Sequence, residues 1–75
     1  MFKNISAKIQ GPLTRVNCFK DYFSSTGQPD FTFWVATSTL DEHGMVPGET
    51  IRARIKHALK VNQGHYSYTR EVNND

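Results

Sequence analysis

The sequence predicts an α+β domain: an antiparallel sheet of three or four strands with one amphipathic helix packed on one face, in the order β-β-β-α-β. Three observations predict it. Apolar and polar residues alternate with period two in the segments 4–10 and 66–72. Residues 31–39 are almost wholly β-branched or aromatic. Apolar residues recur at helical spacing between residues 48 and 62.

The first strand of this order covers residues 4–10, and Gly11 and Pro12 interrupt it with a turn, bulge or edge. Residues 13–23 fit two structures. Their β-branched and aromatic residues favour a second strand. Apolar residues at helical spacing between Pro12 and Gly27 would instead allow a helix, which gives the alternative order β-α-β-α-β for residues 13–25.

The third strand follows a loop predicted over residues 24–30. Alternation places Phe31, Phe33 and Val35 on one face and Trp34 on the other. A turn is predicted over residues 41–44.

The helix is predicted from Gly48 to Asn62 and is followed by a last strand over residues 66–72 and a frayed tail over 73–75. Pro47 and Glu49 suit its first turn, and Gly64 suits a left-handed residue after its end. Its apolar stripe consists of Ile51, Ile55, Ala58 and Leu59.

Length and composition predict a single small domain over residues 1–75, with a net charge of +2. Cys18 is the only cysteine, so a disulfide within the chain and a cysteine-based zinc site are excluded. The chain has no signal-peptide pattern and no apolar run long enough to span a membrane. We therefore expect a cytoplasmic protein that has no contact with a membrane.

Charge falls into three blocks along the chain. Residues 1–20 and 50–70 carry only cations, whereas residues 21–49 carry only acids. Such blocks indicate either weak surface ion pairs between opposite segments or a functional basic patch.

Catalytic and metal-binding patterns are absent from the sequence. No two histidines have the spacing of metal ligands, no serine lies in a nucleophile elbow, and no glycine-rich phosphate loop occurs. We therefore expect a protein that is not an enzyme and has no cofactor or metal.

Two groups of residues are candidates for binding. The cations of the predicted helix could meet nucleic acid or an acidic protein surface; they are Arg52, Arg54, Lys56 and Lys60. Residues of the two later strands could form an exposed aromatic surface that binds protein; they are Trp34, Tyr66, Tyr68 and Arg70.

The function we expect is a non-catalytic protein-binding module that regulates or inhibits a larger macromolecular machine, of the kind that phages and mobile elements encode. The uncovered sheet face would bind a partner protein or a second copy as a homodimer. The alternative is a small nucleic-acid-binding protein that uses the basic helix 48–62 and the sheet aromatics.

Overall fold

The computed structural model of the protein describes residues 1–21 and 28–71, the last of these for its main chain only. Its elements are β1 (Asn4–Gln10), β2 (Leu13–Phe19), β3 (Phe31–Ala36), a short 3-10 helix (Thr37–Thr39), α1 (Gly48–Leu59) and β4 (Ser67–Glu71). The α+β class and the order β-β-β-α-β are confirmed. The β-α-β-α-β alternative is wrong, because residues 13–19 form a strand.

Some sequence-based expectations cannot be compared with the structure. The end of the ambiguous segment, most of the predicted loop 24–30 and the tail 73–75 lie outside the described residues. The predicted turn over residues 41–44 is present, with the Gly44 N–H donating to the Asp41 carbonyl at 2.9 Å.

The four strands form one sheet in the order β3-β2-β1-β4. β1, β2 and β3 are antiparallel neighbours, whereas β4 is parallel to β1. The prediction of a purely antiparallel sheet is therefore wrong. Two antiparallel steps leave β3 running in the direction of β1, and the crossover through α1 brings the chain back so that β4 enters parallel to β1.

The β1–β2 connection is a two-residue hairpin turn, because Gln10 pairs with Leu13. Gly11 has a φ of +71° at the first turn position, a conformation that glycine adopts without strain. Thr37 fastens this turn to the end of β3, since its hydroxyl donates to the Gly11 carbonyl at 2.8 Å.

The core is one cluster that joins the sheet to the helix. Ile51 and Ile55 of α1 are fully buried in it. The strand members share one sheet face, called the core face below, on which Ala7, Val16 and Phe33 lie in register. The buried cluster consists of Phe2, Ile5, Ala7, Val16, Cys18, Phe33, Val35, Val46, Ile51 and Ile55.

The opposite sheet face is called the polar face below. It carries the alternate residues of the strands, with Lys8, Arg15 and Trp34 in one row. At one end of this face Phe19 is buried, and at the other end Leu13 is exposed.

The helix is shorter than the sequence predicts and buries a narrower stripe. It ends at Leu59, and Lys60 adopts the left-handed conformation with a φ of +60°, so Gly64 is not its terminator. Ala58 and Leu59 are exposed. After this turn Gln63 lies beside the residues before β1, where its side chain bonds to the main chain of Phe2. No helix of the described ranges is both long and apolar enough to cross a membrane.

Candidate protein-binding surface

Trp34 lies on the polar face near the β1–β2 turn. Alternation along β3 turns its indole away from Phe33 and Val35, which are buried in the core. The side chain is 42% exposed, which confirms the prediction that Trp34 points away from the core.

The neighbours of Trp34 on this face are one apolar and two cationic side chains. Arg15 of β2 lies directly opposite Trp34, and Lys8 of β1 follows in the same row. Leu13 is diagonal to Trp34, because it pairs with Ala36, and it is 48% exposed. Diagonal side chains on adjacent strands lie within reach of an aromatic ring. These four residues, Lys8, Leu13, Arg15 and Trp34, are called the Trp34 patch below.

The Trp34 patch is electropositive. Neither Lys8 nor Arg15 has an ion-pair partner within the ranges that the structure describes. Glu71 occupies the β4 position beside Lys8. Arg and Lys stems contribute apolar surface beside the indole and keep their charged ends in water.

Three of the residues predicted to share this surface with Trp34 do not lie on it. Tyr68 and Arg70 pair with Ile5 and Ala7, which places them on the core face. Tyr66 precedes β4 and packs against the core cluster. The expected Trp–Tyr surface is therefore wrong, since the register of β4 with β1 places Tyr68 on the core face.

Tyr68 and Arg70 instead hold the loop before α1. The Val46 N–H donates to the Tyr68 hydroxyl at 3.1 Å, and Arg70 Nη1 donates to the His43 carbonyl at 3.0 Å. Burial raises the pKa of Tyr68, although the Val46 hydrogen bond opposes the shift. These two side chains therefore hold residues 43–46 in place by hydrogen bonds.

The two arginines of α1 also contact the protein itself. The Arg52 guanidinium lies over the Tyr66 ring, 5.4 Å from its centroid. Arg54 lies over the Phe33 ring at 5.2 Å, and its Nη2 donates to the Trp34 carbonyl at 3.1 Å. Burial raises the pKa of Tyr66, and the Arg52 charge opposes that shift. Two of the four helix cations predicted to bind a partner are therefore in contact with side chains of the protein itself.

The remaining cations of α1 face water. Lys56 and Lys60 line an open depression of about 450 Å³ together with Ala53 and His57. Within the described part of the chain, neither lysine has a carboxylate partner, so these two residues do not form the ion pairs with the acidic middle segment that were one of the two alternatives.

The described side chains with nucleophilic or metal-binding chemistry do not form a site. Cys18 is buried, and this burial raises the pKa of its thiol to about 12, which keeps it protonated at neutral pH. Glu42 and His43 form an exposed pair at 3.6 Å. In residues 1–21 and 28–71 no three His, Cys, Asp or Glu side chains come together in a metal-binding arrangement.

Comparison of the chain with protein-family models, with curated proteins and with solved structures gives no match.

Three residues of the Trp34 patch, Lys8, Leu13 and Arg15, are not among the binding residues predicted from the sequence. The sequence places Leu13 only in an ambiguous segment, and its exposure follows from its pairing with Ala36 at the end of β2. It places Lys8 and Arg15 only in the basic block 1–20. Alternation along β2 from the buried Val16 places Leu13 and Arg15 on the polar face, and alternation along β1 from the buried Ala7 places Lys8 there, so the strand assignments already contain this signal.

Proposed function

We propose that the protein is a non-catalytic protein-binding module whose site is the Trp34 patch. In this proposal α1 covers the core face and leaves this end of the polar face available to a partner. The observation that carries the proposal is the 42% exposure of Trp34 beside the exposed Leu13.

The composition of the patch supports a protein partner. Trp and Arg are enriched among the residues that contribute most to protein–protein affinity, and they act best at the centre of a desolvated contact. Trp34 and Arg15 lie side by side in one row, and Leu13 adds apolar surface next to them. A protein partner that covers this row would bury the indole and the arginine stem together.

The role we propose is that of a regulator or inhibitor of a larger assembly, in which the Trp34 patch covers a surface of the partner. We place this role in a reducing compartment such as the cytosol, since the lone Cys18 cannot form a disulfide within the chain.

The test compares two variants that remove equally exposed apolar side chains. Trp34→Ala changes the patch, and Leu59→Ala changes a residue of α1 that is also 42% exposed. Wild type and Leu59→Ala, immobilised as folded proteins, are expected to retain the same protein from a nuclease-treated extract, and Trp34→Ala is expected to lose it. Retention of that protein by Trp34→Ala, or its release by nuclease, would overturn the proposal.

Tryptophan fluorescence gives a second measurement of the same site. The chain has one Trp, so the emission of the free protein reports on Trp34 alone. We expect red-shifted emission that iodide quenches, and a blue shift with loss of quenching when the captured partner is added. Emission that the partner leaves unchanged would contradict the proposed site.

A further inference from the structure

The free edge of β3 is adjacent to the Trp34 patch. β3 has a single strand neighbour, β2, in the described sheet. Along an antiparallel strand, successive residues turn their N–H and C=O groups alternately toward the neighbour and away from it. The Thr37 N–H bonds to the Pro12 carbonyl on the β2 side, so the alternate residues turn outward. The outward groups belong to Thr32, Trp34 and Ala36.

Two of these outward groups already accept a hydrogen bond. The Thr39 hydroxyl donates to the Ala36 carbonyl at 2.6 Å, at the end of the strand. Arg54 Nη2 reaches around the edge to the Trp34 carbonyl at 3.1 Å, where the N–H of a further strand would otherwise donate. The bond is exposed to water, so an incoming main-chain donor can replace it at small cost. The guanidinium would then be released at the edge as a free cation.

The positive charge beside the β3 edge favours an added strand that carries negative charge. Arg54 lies on its core-face side and Arg15 on its polar-face side, and neither forms an ion pair with a carboxylate of the described ranges. A second copy paired through β3 would bring these arginines toward their own equivalents. An acidic segment with its carboxylates on the core-face side would instead meet Arg54 with opposite charge.

We propose that the β3 edge binds an extended acidic segment of the partner protein as an added strand. The inference rests on the proposed function and adds the class of partner to it. The segment donates an N–H to the Trp34 carbonyl in place of Arg54, and a carboxylate of the segment pairs with the released guanidinium. Its alternate apolar side chains pack on Trp34, as in other cases of strand addition.

The probe is a fluorescent peptide of about ten residues that alternates Glu with Val. Side chains and N–H groups both alternate along a strand, so all the Glu N–H groups point to one side and all the Val N–H groups to the other. N-methylation of one of these two sets is expected to weaken binding at least about tenfold, while N-methylation of the other set is tolerated. Hydrogen exchange should slow at the amides of Thr32, Trp34 and Ala36.

Two further comparisons test the role of charge. Replacing every Glu of the peptide with Gln should weaken binding, and Arg54→Gln should weaken the Glu peptide about fivefold without affecting the Gln peptide. Leu59→Ala serves as the control that leaves binding unchanged.

Several results would overturn strand addition. They are equal binding of both N-methylated peptides, unchanged exchange at the three outward amides, and no binding of the Glu peptide at up to about 1 mM. Preference for a single-stranded oligonucleotide would overturn it in favour of nucleic acid. In each of these cases the capture experiment with Trp34→Ala still decides separately whether the proposed function holds.

Discussion

Gln63 closes the fold by bonding through its side-chain amide to the main chain of Phe2. Its Nε2 donates to the Phe2 carbonyl at 2.7 Å, and its Oε1 accepts from the Phe2 N–H at 3.1 Å. Gln63 is buried and lies 61 residues from Phe2 along the chain. The amide therefore supplies the two main-chain groups of Phe2 with partners just before β1 begins.

Gln63→Ala is expected to lower the free energy of unfolding by about 2–4 kcal/mol, because it leaves the buried N–H and C=O of Phe2 without partners. Chemical denaturation followed by circular dichroism measures this loss. Gln63→Glu is the matched variant, since it keeps an acceptor for the N–H and loses the donor to the carbonyl.

The pH dependence of Gln63→Glu distinguishes lost hydrogen bonds from lost packing. The ionised carboxylate of this variant would face the Phe2 carbonyl, which raises the folded pKa of the introduced carboxyl above its unfolded value. The free energy of unfolding of Gln63→Glu should therefore fall furthest below the wild-type value at neutral pH, and the difference should shrink as the pH falls through that raised pKa. A deficit that does not change with pH would show that the carbonyl bond is unimportant.

Ile55 is the central contact of α1 with the core, because it is fully buried. Ile55→Ala should cost about 2–5 kcal/mol by loss of buried apolar surface and creation of a cavity. Leu59→Ala, on the exposed side, should cost less than about 1 kcal/mol. Thermal unfolding of both variants measures the difference, and similar melting temperatures would contradict the observed width of the buried stripe.

Local patterns in the sequence predicted β1 and the start of α1, but they left residues 13–25 open between strand and helix and did not separate the 3-10 helix Thr37–Thr39 from β3. Alternation predicted β1 at its observed bounds, and the apolar spacing predicted α1 from its first residue. The direction of β4 and the end of α1 depended on distant contacts. The chain leaves the helix at Lys60, and Gln63 bonds to Phe2, 61 residues away in sequence, a contact that no local pattern around Gly64 contains.

The sequence also predicted only part of the candidate site, because some of its positions depend on contacts between distant segments. The exposure of Trp34 followed from alternation within one strand. The positions of Tyr68 and Arg70 required the register between β4 and β1, which is set by pairing between segments far apart in sequence. The contact of Arg54 with the Trp34 carbonyl likewise depends on how α1 lies relative to β3.

Asp41 makes the turn before α1 sensitive to acid. The main-chain N–H groups of Met45 and His43 donate to Asp41 Oδ1 at 3.0 Å and 2.9 Å, and they lower the pKa of this carboxyl below its usual value. A lowered folded pKa gives stabilisation that is present above the unfolded pKa and lost as the pH falls through the folded one. The turn should therefore loosen below about pH 4.

Amide chemical shifts of His43 and Met45, followed from neutral pH to about pH 2, measure this loosening. Asp41→Asn keeps an acceptor oxygen without the titration, so the Met45 amide shift should lose its transition below about pH 4. Glu42→Gln is the control, because Glu42 is an exposed neighbour of the same charge. An unchanged titration in Asp41→Asn would assign the transition to another group.

The salt dependence of partner binding distinguishes a protein ligand from a nucleic-acid ligand. Each phosphate contact releases about one counterion, so three or four contacts by helix cations would give a slope of roughly −3 to −4 in log affinity against log salt. Arg52 and Arg54 contact Tyr66 and Phe33, which leaves Lys56 and Lys60 as the uncommitted helix cations.

For a protein partner we expect a shallower slope and a loss of at least about 2 kcal/mol in binding free energy for Trp34→Ala. Lys56→Ala should change the affinity by less than about twofold, because Lys56 is on the exposed side of α1, away from the polar face of the sheet. Isothermal titration at several salt concentrations measures all three quantities. A steep slope that falls by about one in Lys56→Ala, with no effect of Trp34→Ala, would identify nucleic acid as the ligand.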